Sequence, residues 1–312
     1  MGPWIGYLLP TRERIMQGAH EAGPILNLAE RAEGMGFDSV WIGDSLLARP
    51  RHDPMTMLAA VAARTSRVEV GTAVLLPALR NPVLLAHMAA TVDQISEGRL
   101  ILGVGIAADV KSVRAEFEAA GVPFEKRVGR MMEGIRLCRA LWQGEDTDWQ
   151  GRWTVEGGHL APHPVQTGGP RIWAAASVDA GLRRIARELN GWFPIGPNAA
   201  ALAPKWQLVQ EMARGFGRNP DEISFSVYLT IMLDNDADKA DQQMDAYMQN
   251  YYSVPPHLMR SIQANYAGPE AGLGEWLQGF ADAGASHLVL RFAGDQESHL
   301  DAVTRVRQTL GW

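Results

Sequence analysis

The residues with most chemistry to offer in this chain sit where short apolar runs stop. Phe37-Asp38-Ser39-Val40-Trp41-Ile42 ends in Gly43-Asp44, a second run ends at Gly71-Thr72, and Leu100-Ile101-Leu102-Gly103-Val104 ends in Gly105. Each run is followed by a helical pattern, the rhythm of a βα-repeat protein whose chemistry lies at its strand ends. Further on, Ala176-Ser177-Val178-Asp179 joins a predicted strand to a predicted helix. A helix start offers free N–H groups and a positive dipole end to an anion, and Ser177 adds a hydroxyl. Simple helix capping by Ser177 or Asp179 is the competing reading. Arg291 closes the last apolar run. The last two strands of a barrel commonly help to bind phosphate, so it is a candidate anion ligand, with pairing to a carboxylate as the alternative. His159 and His163 are four apart in a proline-containing loop with no carboxylate pair beside them, so no metal is expected. Cys138 is the lone cysteine, sits in a helical pattern, and reads as a buried structural thiol.

These residues need a scaffold. Apolar segments at 4–9, 39–42, 68–72, 100–104, 171–175, 192–195, 223–233 and 287–292 read as eight strands alternating with helices. Asp53-Pro54 and Asn81-Pro82 each read as an N-cap followed by proline at the first helical position. The expected fold is a single-domain (β/α)8 TIM barrel over residues 1–312, with long insertion loops at the carboxyl ends of its strands. A doubly wound open sheet is the structural alternative, but no Gly-x-Gly-x-x-Gly follows the first strand. Loops at 106–126 and 144–170 are long enough to be functional, and an irregular stretch at 251–269 covers the barrel mouth or serves an oligomer contact. With 46 % hydrophobic and 21 % charged residues the chain can bury a large core. A net charge of −6 argues against a nucleic-acid partner. No signal peptide and no membrane-length apolar run is apparent, so a cytoplasmic location is expected.

The wording of several segments resembles the bacterial luciferase-like monooxygenase family. They include Phe37-Asp38-Ser39-Val40-Trp41, Gly71-Thr72-Ala73-Val74, Ser96-x-Gly98-Arg99-Leu100, Leu102-Gly103-Val104-Gly105 and Glu116-Phe117-Glu118-Ala119-Ala120-Gly121-Val122-Pro123-Phe124. The resemblance implies FMN or a deazaflavin at the carboxyl ends of the strands. It places the cofactor across Thr72, Ala73, Val74, Gly105 and Ile106, with a non-proline cis peptide at Ala73–Val74. It places the cofactor phosphate at Ala176, Ser177 and Val178, and adds Trp173 and Arg291 as further contacts. Val74, Ile106 and Trp173 then suggest a neutral, partly hydrophobic small-molecule substrate. Many relatives carry a histidine facing the cofactor after the second strand, but Gly43-Asp44-Ser45-Leu46 puts serine there. Asp44 and Ser45 remain catalytic candidates, and His52 on the same loop is a possible substitute or else an exposed loop histidine.

The leading expectation is a monooxygenase that uses reduced FMN and oxygen, fed by a separate flavin reductase. The alternative is hydride transfer by a dehydrogenase or reductase that uses the deazaflavin coenzyme F420. Arginine outnumbers lysine, which hints at a GC-rich genome and, by association only, at deazaflavin. A non-catalytic flavin-binding barrel is a third reading, motivated by Ser45. Relatives commonly form homodimers.

Overall fold

The computed structural model describes residues 2–312. Its strands are β1 (Trp4–Leu8), β2 (Ser39–Ile42), β3 (Glu69–Thr72), β4 (Leu100–Val104), β5 (Thr147–Gln150), β6 (Thr154–Gly158), β7 (Arg171–Ala174), β8 (Gly191–Trp192), β9 (Ser224–Leu233), β10 (Asn265–Gly268) and β11 (His287–Phe292). Eight of them close a parallel ring in the order β1, β2, β3, β4, β7, β8, β9, β11, back to β1. This is the expected (β/α)8 TIM barrel. The ring strands are buried along nearly their whole length, because helices cover the outside and side chains fill the inside.

Local chemistry sets the helix starts. Asp53 accepts from the Thr56 N–H and Asn81 from the Val83 N–H, each ahead of a proline that lacks a donor to leave unsatisfied. The Ser96-x-Gly98-Arg99 motif serves the fold. Gly98 turns the chain at φ +85°, and the Arg99 guanidinium binds Ser96, Thr65, Val68 and Ala62, mostly at backbone carbonyls.

Inside the ring, Leu8, Trp41, Ile101, Trp173, Phe193, Tyr228 and Val289 pack as one dry cluster. The bulk of Trp41 requires a glycine opposite, since a Cβ at Gly71 would lie 2.4 Å from its ring.

The segments expected to be irregular are partly ordered. Residues 144–170 contain the antiparallel hairpin β5–β6, which turns near Gly151. Residues 106–126 contain helix Lys111–Ala119. Residues 251–269 contain helix Pro256–Ile262 and β10, which pairs with the distal half of β9 outside the ring. The 192–195 segment keeps the strand ladder only at Gly191–Trp192, because Pro194 has no N–H to donate. Among the described residues, no helix is long and apolar enough to cross a membrane.

Candidate functional site

Two adjoining cavities open at the carboxyl ends of the ring strands. The mouth cavity, about 310 Å³, is lined by residues after β2, β3, β4 and β9 together with Arg291 of β11, and the slot, about 620 Å³, mainly by residues after β4, β7 and β8. Ala107, Ala175, Ile195 and Ile262 border both, so the two form one bent cleft.

The mouth gathers several of the expected residues. Asp44, Ser45, Ala73 and Val74 all line it. The Ala73–Val74 peptide is cis, where the resemblance places it. Gly105 lies behind Val74, and a Cβ there would come within 2.6 Å of Val74 Cγ2. Asp44 is committed to its neighbours. Arg80 donates Nη1 at 2.5 Å and Nη2 at 3.0 Å to its two oxygens, and the Leu76 N–H donates at 2.9 Å. Ser45 donates its hydroxyl to Glu116 Oε2 at 2.8 Å, and the same oxygen accepts from the N–H groups of Leu47 and Ala48. Glu116 is buried, and its other oxygen, Oε1, has no partner among the described residues. A buried carboxylate oxygen without a donor is costly. Glu116 stood inside a segment that carried the resemblance, but nothing in its spacing distinguished it from an exposed helical glutamate.

Arg291 reaches the mouth, not the helix start at Ser177. Its Nη1 and Nη2 donate to Tyr252 and Tyr251 at 2.9 and 2.7 Å, and its Cζ stands 5.1 Å from the Tyr228 ring centre. Burial works against its charge, yet the surrounding phenolic groups hold its pKa above the ordinary value. Burial also keeps Tyr228 a neutral phenol, with its pKa raised. The expected carboxylate pairing is present only loosely, with Glu13 at 3.8 Å. Tyr251 and Tyr252 open the stretch read in sequence as irregular, and only the fold brings them to Arg291.

The slot carries the other expected contacts. Ile106, Ala176, Ser177 and Val178 line it. Helix Asp179–Glu188 starts at the slot with no side-chain cap, so neither Ser177 nor Asp179 satisfies its first N–H groups. Arg184 and Lys205 line the same end, and Lys205 Nζ donates to the Ser177 carbonyl at 2.8 Å. Gly181 lets the turn close, because a Cβ there would lie 2.6 Å from Ala176 Cβ. Ser177 and Val178 are exposed, so this end of the slot opens to solvent. Sequence reasoning missed both cations, since Arg184 lies on the helix beyond its first turn and Lys205 on a different helix.

Trp173, Thr72 and His52 lie outside both cavity linings. Trp173 faces the closed ring interior and lines neither cavity, because alternation along β7 turns it inward against Trp41. Thr72 is buried, with its hydroxyl donated to the Gly103 carbonyl at 2.8 Å. His52 hydrogen-bonds the His20 carbonyl at 2.9 Å and lines neither cavity, because the loop turns it away from the mouth. Cys138 is buried and donates to the Pro82 carbonyl, and burial pushes its thiol pKa up to about 12. No cluster of three or more metal-ligating side chains occurs among the described residues.

A closed parallel barrel with its cleft at the carboxyl ends of the strands is the architecture of a barrel enzyme. Residues 4–311 match the luciferase-like monooxygenase family, and the chain belongs to it. The chain is 27 % identical to the F420-dependent glucose-6-phosphate dehydrogenase of Nocardia farcinica, covering 92 % of this chain and 94 % of that one. It is 31 % identical to the enzyme of the same name from Nakamurella multipartita, over 75 % of this chain and 71 % of that one. Among solved structures, an F420-dependent secondary alcohol dehydrogenase in complex with an F420–acetone adduct superposes with a TM-score of 0.81 at 20 % identity, covering 98 % of each chain. The chain is therefore a flavin- or deazaflavin-dependent oxidoreductase, and the non-catalytic reading falls away.

Proposed function

We propose that this enzyme uses the deazaflavin F420 to move a hydride to or from a small organic substrate. The carrying observation is the uncapped, solvent-open helix start at Ser177, flanked by Arg184 and Lys205. FMN ends at its phosphate, whereas F420 continues beyond it into an acidic tail. An open cationic end fits the longer anion, and the F420-dependent relatives agree with this choice. The FMN and oxygen reading that led from sequence is thereby displaced to second place.

The donor set fits the group. Ser177, Val178, Arg184 and Lys205 would hold the phosphate and tail, and Ala73, Val74, Ile106 and Ala175 would bound the ring. When bound, F420 supplies the hydride acceptor, or in reduced form the donor. The protein's own residues then manage position and protons. The apolar walls exclude water, and Asp44 with Arg80 holds the chain after β2 to the chain after β3. Glu116 takes the role that Ser45 cannot, since serine has no pKa near neutrality. Its free Oε1 accepts or returns the proton that accompanies the hydride, while Ser45 and the loop N–H groups steady Oε2.

The test is anaerobic titration with F420, FMN and reduced FMN, in the wild type and in Ser177→Asp. Selective F420 binding that weakens in Ser177→Asp, through charge repulsion with the phosphate, is the expected result. Selective binding of reduced FMN would restore the oxygenase reading, and unchanged affinity in the variant would remove the phosphate assignment.

A further inference from the structure

Two guanidinium groups at the mouth form no ion pair among the described residues. They belong to Arg49 and Arg51, which both line the mouth cavity and are both half-buried. Arg51 donates Nε to the Arg49 carbonyl at 3.1 Å, which fixes the side chain and leaves its two Nη groups for something else. Its Nη1 lies over Gly43, where a Cβ would come within 2.2 Å. The glycine at the end of β2 is thus what lets this cation reach the strand end. Arg49 Cζ lies 5.2 Å from the Tyr252 ring centre and Arg51 Cζ 6.0 Å from that of Tyr251. A guanidinium beside an aromatic ring keeps a donor edge for a carboxylate or phosphate. Nearby Arg12 has a lowered pKa, through burial first, opposed by Tyr251 and helped by Arg51 and Arg49.

The carboxylates of the same lining are committed elsewhere, Asp44 to Arg80 and Glu116 through Oε2 to Ser45 and the loop N–H groups. The rest of the lining is mainly apolar, with Val74, Phe193, Ile195, Met259 and Ile262 among it. Its one amide, Gln263, already donates to Thr230 and accepts from Tyr252. A substrate rich in hydroxyl groups would find few free partners here.

We propose that the substrate is an organic anion with an apolar body, its carboxylate or phosphate head held by Arg49 and Arg51. The body lies along Val74, Phe193 and Met259, where the sequence had suggested a neutral molecule. The assignment deepens the hydride-transfer reading and rests on it for the reaction, but the anion site itself stands on the cavity.

Calorimetric titration of the purified protein, with and without F420, tests it with four probes: phenylacetate, phenyl phosphate, 2-phenylethanol and glucose 6-phosphate. Phenylacetate or phenyl phosphate is expected to bind, and the better of the two identifies the head. The double variant Arg49→Gln, Arg51→Gln should lose about tenfold or more in that affinity, about 1.4 kcal/mol, with binding of 2-phenylethanol unchanged. Undiminished anion affinity in the variant, or 2-phenylethanol binding as tightly as the anions in the wild type, would overturn the anion site. Glucose 6-phosphate binding more tightly than phenyl phosphate would overturn the apolar body. Anion binding without any F420 binding would sustain this site and sink the hydride-transfer reading instead.

Discussion

His287 and Arg291 stand on the same face of β11, four residues apart, and the two ends of the barrel treat them in opposite ways. His287 is buried among Trp4, Trp41 and Trp173, with ring centres 5.3–5.7 Å away, and its ring hydrogen-bonds the Ser39 hydroxyl at 2.7 Å. Burial first, and Arg171 second, press its pKa down to about 3, so it is neutral. Arg291 is equally hidden but keeps its charge, because two phenolic oxygens accept from it and a third ring lies beside it. Burial alone does not decide charge; the number of acceptors within reach does. The interior end therefore holds a neutral, apolar core, and the mouth holds a charged group among acceptors.

Three changes would break or sharpen that contrast. The largest effect on stability is expected from Trp173→Ala, which empties the centre of the dry cluster and should cost about 3–5 kcal/mol. Denaturant melts would show it, and a small loss would mean that the ring interior is not the stabilising half. The second is pH. The folded-state pKa of His287 lies below its ordinary value of 6.5, so the unfolded chain takes up the proton first. Its contribution is complete above about pH 6.5 and is lost as pH falls toward about 3, amounting to about 2 kcal/mol by pH 5. Melting temperatures of the wild type and His287→Asn across pH 5–8 should show a shallower slope in the variant; parallel slopes would reject the assignment. The smallest effect on stability belongs to Glu116→Gln, about 1 kcal/mol, since the amide oxygen still accepts from the loop. Turnover should nevertheless fall on the order of 10²-fold, with the affinity for F420 retained. If turnover keeps its rate and its pH profile, Glu116 only holds the loop.

Much of the scaffold could be read from residues alone. The apolar runs at β1, β2, β4 and β11 are short and bounded by glycine, proline or acidic residues, and their alternation with capped helices suffices to expect a barrel. The cleft residues at Asp44, Ala73, Val74, Ile106 and Ser177 were legible because they sit within one to three residues of a strand end. The inward position of Trp173 was not legible, because which face of β7 turns inward depends on the ring register, which pairs it with Gly103 and Gly191. His52 keeps the loop-histidine alternative, because the loop's direction follows from contacts such as that to His20, distant in sequence.

The sequence by itself therefore determined the repeating strands and helices, the cap residues and the strand-end positions, since these depend on neighbours along the chain. Tertiary structure alone decided which charges meet. Glu116 joins Ser45 across 71 residues, Arg291 joins Tyr251 across 40, and Lys205 joins Ser177 across 28. Closing the ring brings these groups together, and no local propensity encodes that closure.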